Sequence, residues 1–356
     1  MNNKRFHKDF KLNGTSFSSE EELIDFSKNI SNTIVRFLTD WFHTNDFVIV
    51  QTSGSTGKPK PIKLKKEFMI NSALATGAFF NLKENTSALL CLSTDYIAGK
   101  MMLVRALTLG WNLDIVSTNS TPLKDINKRY DFSAMVPLQL RNSLNDLDKV
   151  DTLIVGGGVV SNDLIDAIQA IPTKVFATYG MTETITHIAV KKLNHFSSGV
   201  EVSFYKTLPN VIISKDARAC LTIEAPKVAS EKIITNDVVT IISENEFEWL
   251  GRYDNVINSG GVKLHPEKIE EKLSKIITNR FFVAGVSDDI LGEKLIVVVE
   301  EDVTSDELEK FLCSKIKNQS LLSKFEVPKE IYFLPQFIET ETKKIQRKKT
   351  LDLIKL

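Results

Sequence analysis

Nine residues, Thr52-Ser53-Gly54-Ser55-Thr56-Gly57-Lys58-Pro59-Lys60, combine four hydroxyls, two glycines and two lysines with almost no apolar surface. Glycines let a backbone turn its N–H groups toward one point, and hydroxyls and lysines add donors and positive charge there. That is the chemistry of a polyphosphate cradle. The P-loop of ordinary NTPases reads G-x-x-x-x-G-K-[ST]. Here only Ser55-Thr56 separate Gly54 from Gly57, and Pro59 follows Lys58, so that motif is excluded. By composition alone the stretch suits a polar surface turn equally well.

Three further groups of residues could act with it. Tyr179-Gly180-Met181-Thr182-Glu183-Thr184 directly follows a strand-like run, Val175-Phe176-Ala177. The carboxyl end of a parallel strand is where open α/β sheets bind ligands. Tyr179 can stack on a base there, Thr182 can donate to a phosphate, and Glu183 can hold Mg²⁺. The plain alternative is an ordinary turn with a solvated glutamate. Gly156-Gly157-Gly158 follows Leu153-Ile154-Val155 and would let a flat purine approach the backbone. The dinucleotide spacing G-x-G-x-x-G fails, because Val159 and Val160 precede Ser161, and a tight turn remains the alternative. Asp237 offers one carboxylate to two ribose hydroxyls.

As strings, TSGSTGKPK, YGMTET and GRYDNVINSGGVKLHPEKIEEKL resemble, in the expected order, the signatures of the adenylate-forming enzymes, the acyl- and aryl-CoA synthetase superfamily. The resemblance covers residues 47–356. It implies that Thr52, Ser53, Gly54, Ser55, Thr56, Gly57 and Lys58 hold the phosphates of ATP. It implies a nucleotide platform of Gly156, Gly157, Gly158, Tyr179, Gly180 and Met181. Thr182 and Glu183 become catalytic, with Glu183 on Mg²⁺, while Asp237 and Arg252 hold the nucleotide. Asp254 becomes the pivot of a mobile small domain. Gly260 and Gly261 line the tunnel for coenzyme A, and Lys344 is the catalytic lysine. Three departures stand out: Asn236 and Lys343 each replace a usual glycine, and the usual large N-terminal subdomain is reduced to some 46 residues. Within the superfamily the shortened chain is most similar to the branch that activates o-succinylbenzoate on the way to menaquinone.

The acid would be met by the segment after Asp95-Tyr96-Ile97-Ala98-Gly99, where the family's acyl pocket begins. Lys100 and Arg105 stand there among Met101, Met102, Leu103, Val104, Ala106 and Leu107. A cation in an apolar pocket suits an aromatic or keto-bearing acid with a second, retained carboxylate, such as o-succinylbenzoate. Five-residue spacing puts the two cations on different helix faces, so one at most points inward; both reaching solvent is equally compatible. Tyr96, Thr186 and His187 are further pocket residues. Other aryl- or acyl-CoA ligases, carrier-loading enzymes and a non-catalytic nucleotide-binding module share parts of this pattern.

Elements must position these groups. Strands and helices alternate from Lys66 to Ala177: helices over Lys66–Phe80 and Gly99–Leu109, strands near Ala88–Leu92, Leu113–Val116, Phe132–Val136 and Leu153–Val155, with Pro137 and Ser161 opening helices. That alternation implies a doubly wound, mostly parallel sheet. One helix running from Ser19 through Leu23, Phe26, Ile30, Ile34, Phe37 and Trp41 should precede a buried strand, Phe47–Val50. From His187 the helices stop, and Val211–Ile213, Ala219–Ile223 and Val238–Ile242 read as antiparallel strands. The rest reads as a small α+β domain. It has a helix from Pro266 that carries Ile269, Leu273, Ile276 and Ile277, and a second helix opened by Thr304 and Glu307. The division expected is a large nucleotide- and acid-binding domain over 1–250, a hinge at 251–254 and a mobile domain over 255–356.

The whole composition fits. The chain has 356 residues, 42% hydrophobic, and its 45 acidic residues balance 45 lysines and arginines. A neutral chain with one basic cluster, Lys343-Lys344 to Arg347-Lys348-Lys349, points away from nucleic-acid and membrane partners. Three scattered cysteines, Cys91, Cys220 and Cys313, without a CxxC pair argue for a reducing compartment and against zinc. With no apolar leader after Met1, a cytoplasmic enzyme is expected.

Overall fold

The computed structural model describes residues 5–51, 61–196, 203–302, 306–317, 320–340 and 345–354. The chain begins β1 (Lys11–Leu12), α1 (Glu20–Ser27), α2 (Asn32–Phe42), β2 (Phe47–Gln51), β3 (Pro61–Lys65), α3 (Lys66–Phe80) and β4 (Ser87–Leu90). It continues with α4 (Ile97–Leu109), β5 (Asn112–Ile115), β6 (Tyr130–Met135), α5 (Pro137–Asn142), β7 (Val150–Val155), α6 (Asn162–Ala167) and β8 (Lys174–Gly180). Six strands follow: β9 (His187–Lys192), β10 (Tyr205–Thr207), β11 (Ile212–Lys215), β12 (Cys220–Glu224), β13 (Ile233–Ser243) and β14 (Glu246–Arg252). The last stretch holds β15 (Ile257–Ser259), β16 (Val262–Leu264), α7 (Pro266–Leu273), β17 (Phe281–Asp288), β18 (Gly292–Glu300), α8 (Asp306–Lys317), β19 (Glu330–Leu334) and α9 (Arg347–Leu351).

One twelve-stranded sheet runs β1-β5-β4-β6-β7-β8-β9-β10-β14-β13-β12-β11. It is parallel from β1 to β8 and antiparallel from β8 onward. The parallel half is buried on both faces, as crossover helices require. Ala88, Leu90 and Ile154 enter one core while their neighbours Leu89, Leu153 and Val155 enter another, the period-two signature of a strand. A second sheet, β16-β15-β18-β17 with β19 beside β18, repeats the device. Val283, Val297 and Val299 face one cluster, and Phe282, Ala284 and Val298 the other. The fold is a doubly wound α/β sheet extended by an antiparallel part and followed by a small α+β sheet.

Several expectations change. The single helix from Ser19 is two. Ser27 Oγ donates to the Leu23 carbonyl at 2.8 Å, and Ser31 Oγ accepts from Thr33 N at 3.2 Å, opening α2 afresh. These short hydroxyls offer the backbone a competing partner and break the run. Strand Phe47–Val50 is buried on one face only. β2 pairs with β3 alone, so Val48 and Val50 enter the core while Ile49 stays 56% exposed. Helix α7 ends at Leu273, so Ile276 and Ile277 pack from the turn beyond it. Strands β9, β10 and β14 fill gaps in the antiparallel part, because their pairing is set by partners distant in sequence. Thr304 lies outside the described residues. No helix among the described residues is long and apolar enough to cross a membrane. All three cysteines are free.

Candidate active site

The carboxyl ends of β7 and β8 carry the first group. A Cβ at Gly156 would stand 2.5 Å from Thr178 Oγ1, whose hydroxyl donates to the Val155 carbonyl at 3.1 Å. A Cβ at Gly180 would meet the backbone of Thr186 and His187. Packing thus demands glycine at both positions.

Beside them Tyr179 Oη donates to Asp237 Oδ2 at 2.7 Å, and Trp249 Nε1 donates to Asp237 Oδ1 at 3.1 Å. The β13–β14 register sets Asp237 opposite Arg252, whose guanidinium lies 3.8 Å from Asp237 Oδ1 and 3.3 Å from Asp254 Oδ2. Asn236 Nδ2 donates to the same Asp254 oxygen at 3.3 Å. Burial, then the Asp237 charge, holds the Tyr179 hydroxyl well above its usual range, so it stays a donor. The structure therefore gathers Tyr179, Asp237, Arg252 and Asp254 into one network. Trp249 is a member that sequence reasoning missed; as an apolar-run residue, nothing marked its N–H.

Asp237 is 7% exposed and satisfies two half-buried donors. Asp237→Ala leaves both unpaired, at about 1–3 kcal/mol each. Urea unfolding should show the midpoint lowered accordingly, with Asp237→Asn between the variant and the parent. An unchanged midpoint would show that the network contributes nothing.

Thr182–Thr184 forms a short 3₁₀ turn with Glu183 exposed. Next comes Ile185 at φ +67° and ψ −60°, with Thr186 N donating to the Thr184 carbonyl at 2.7 Å. This is a γ-turn with positive φ, rare for any residue and an outlier for a β-branched one. Thr184 Oγ1 clamps it, accepting from Met181 N at 3.1 Å and lying 2.8 Å from the Thr186 carbonyl. The turn delivers His187 into the interior at the start of β9.

There His187 meets Arg105. Arg105 is 1% exposed and lies within α4, whose residues Met101 to Leu107 are all buried. Its Nε donates to Thr76 Oγ1 at 3.3 Å, and its Nη2 lies 3.5 Å from His187 Nδ1. No carboxylate among the described residues pairs with it. Burial pulls the guanidinium down to about 9, still charged at neutral pH. Burial, and then the Arg105 charge, pushes His187 well below the usual imidazole range. His187 also lines a cleft of about 230 Å³ with Asn71, Ser72, Ala75, Asn210 and Lys227. Sequence reasoning missed α3 here; its one signal is Ser72 and Thr76 one turn apart in an apolar helix. Lys100 is directed elsewhere. Its ammonium donates to the carbonyls of Thr94 at 2.6 Å and Asp95 at 2.8 Å, at the start of its own helix. Tyr96 stands exposed before α4.

Gly251, at φ +144°, is buried against the Glu267 carboxylate, and Asn255 Nδ2 donates to Glu267 Oε1 at 2.5 Å. Gly260 and Gly261, at φ +56° and +80°, are exposed at the β15–β16 turn. Thr52, Ser53, Gly54, Ser55, Thr56, Gly57 and Lys58 lie outside the described residues, between the paired strands β2 and β3. Lys343 and Lys344 also lie outside them; after them Arg347 makes a fork to Glu270, with both contacts at 2.8 Å.

A family model for the AMP-binding enzymes matches residues 10–211. A 2-succinylbenzoate–CoA ligase of Geobacillus sp. is 24% identical over 352 residues, covering 88% of this chain and 70% of that protein. The enzyme of the same name from Bacillus cytotoxicus is 25% identical over 341 residues, with 86% and 70% covered. A crystal structure from Dyadobacter fermentans, described as an acyl-CoA synthetase (AMP-forming)/AMP-acid ligase II-like protein, is 36% identical. It matches with a TM-score of 0.61 over 93% of this chain and 97% of its own. The O-succinylbenzoate coenzyme A synthetase of Bacillus subtilis, solved with ATP and magnesium, shares the fold at 22% identity. Its TM-score is 0.71, over 85% of this chain and 69% of that one.

Proposed function

Because the chain belongs to the AMP-binding enzyme family, as an adenylate-forming CoA ligase, we propose that it activates an aromatic or keto-bearing diacid, o-succinylbenzoate first. The products would be the acyl-CoA, AMP and pyrophosphate. A carboxylate is a poor acyl donor because its leaving group is an oxide. Its attack on the α-phosphorus of ATP expels pyrophosphate and gives an acyl adenylate. The coenzyme A thiol then adds to that carbonyl, expels AMP and forms the thioester.

The first step needs charge stabilised around the phosphates. We assign the 52–58 loop to the phosphates, Gly156–Gly158 with Tyr179, Gly180 and Met181 to the base, and Asp237 with Arg252 to the ribose. Among the described residues no cluster of three acidic, histidine or cysteine side chains stands ready to hold a metal alone. The single exposed carboxylate of Glu183 fits Mg²⁺, which takes one or two carboxylates plus substrate phosphates and would neutralise their charge. Thr182 donates to phosphate oxygen, and Lys344 bridges acyl and phosphate oxygens. Asp254 is the pivot between domains over 1–250 and 255–356, and Gly260 and Gly261 receive coenzyme A.

One observation carries the diacid: Arg105, fully buried, charged and without a carboxylate partner among the described residues, one side chain from a cleft. A buried unpaired cation is costly unless a ligand anion completes it. Pyrophosphate release with a panel of acids, with and without coenzyme A, tests the reading. A diacid should outrun its monoacid analogue, and coenzyme A should be consumed stoichiometrically. Release without any use of free coenzyme A would identify a carrier-loading enzyme. Preference for a long-chain fatty acid would refute the diacid, and no release at all would refute catalysis.

A further inference from the structure

The Arg105 cluster fixes more than a charge. A guanidinium only donates, so His187 Nδ1, 3.5 Å from Arg105 Nη2, must be the bare nitrogen. The ring proton is then on Nε2, which lies 3.5 Å from Thr76 Oγ1. Thr76 donates its own proton to the Ser72 carbonyl at 3.0 Å and accepts from Arg105 Nε. Every proton in the cluster is assigned, and the cluster carries one net positive charge. The Nε2 contact sits at the outer limit of hydrogen bonding, so that N–H is loosely held. Of Arg105, Thr76 and His187, it is His187 that lines the cleft. An anion entering the cleft meets the imidazole before the guanidinium.

We propose that His187 is the specificity-determining contact for the acid's retained carboxylate, a neutral Nε2–H donor at the cleft wall with the Arg105 charge fixed behind it. This rests on the diacid reading above. Recognition is thereby divided: the arginine selects for negative charge, and the histidine gives that charge a directional partner.

The test compares the diacid with the monoacid lacking the retained carboxylate, in pyrophosphate release by the full-length enzyme. His187→Leu should raise KM for the diacid about 10–100-fold, the range for hydrogen bonds to charged groups. KM for ATP, KM for the monoacid and kcat should stay within about twofold. His187→Gln, whose amide can donate, should recover most of the loss. Imidazole ¹⁵N shifts should show an uncharged ring protonated on Nε2 across the neutral range. Retained diacid preference in a folded His187→Leu enzyme overturns the inference and leaves the diacid reading standing. Equal losses with both acids, or a glutamine no better than leucine, reduce His187 to a packing residue and overturn it too. A wild-type enzyme indifferent to the second carboxylate overturns the diacid reading itself.

Discussion

Lys344→Ala is expected to suppress adenylate formation by roughly three orders of magnitude or more, the scale of losing a dominant electrostatic contact to a transition state. The same variant should still convert a supplied acyl adenylate and coenzyme A to thioester near the normal rate. The reason is a division of labour. In-line attack on the α-phosphorus accumulates negative charge that one ammonium can bridge, whereas thiol attack on the adenylate releases that charge as AMP. Gly261→Trp should show the opposite pattern by filling the entry proposed for coenzyme A. Lys344 follows Lys343, where the family's pattern has glycine, so the neighbour supplies a second ammonium and Lys343→Gly is the control. The segment is anchored just beyond: Ile345 bridges Glu339, and Arg347 grips Glu270. A normal adenylation rate in Lys344→Ala, or equal failure of both variants in both half-reactions, would sink the two-state account.

Arg105→Met should separate stability from function. Methionine roughly matches the volume of the arginine stem and carries no charge. Removing a buried cation that has no carboxylate partner among the described residues relieves a desolvation cost of several kcal/mol, so the variant should withstand more urea than the parent. It should lose the diacid at the same time, by about 100-fold in kcat/KM, while its ATP kinetics stay within about twofold. Because the guanidinium remains charged up to about pH 9, the stability gain should be fully present at neutral pH. It should shrink above that pH as the parent sheds its proton. A methionine variant less stable than the parent would show that Arg105 is a structural strut. Lys100→Met offers the contrast: it strips two helix-start carbonyls of a donor, so it should destabilise without touching diacid preference.

How far the sequence revealed this molecule depended on how local each cause was. Helix α3 occupies Lys66–Phe80 as its pattern predicts, and Pro137 stands at the first turn of α5, because local composition and a fixed φ decide both. The break between α1 and α2 was hidden because Ser27 and Ser31 can cap a helix or ride within it, and tertiary packing decides which. The continuity of twelve strands was illegible, since β10 pairs with β14 across three intervening strands. The same limit applies to the site. Glycine loops announce themselves by composition. The meeting of Arg105 with His187, 82 residues apart, and of Trp249 with Asp237 could only be seen in three dimensions.

The order of strands also dictates a timetable for synthesis. The first strand, Lys11–Leu12, finds its partner only at Asn112–Leu113, and Ser87–Leu90 lies between strands that both come later in the chain. At about 5–20 residues per second, the ribosome holds the early chain without its place in the twelve-stranded sheet for some 5–20 seconds. Through that interval the apolar face of α2, with Ile34, Phe37, Leu38 and Trp41, has nothing to cover it but its own neighbours. The small hairpin of Phe47–Gln51 and Pro61–Lys65 is the one piece of sheet the nascent chain can close by itself. The two strands that flank residues 52–60 thus pair first in time, and the twelve-stranded sheet is completed after them.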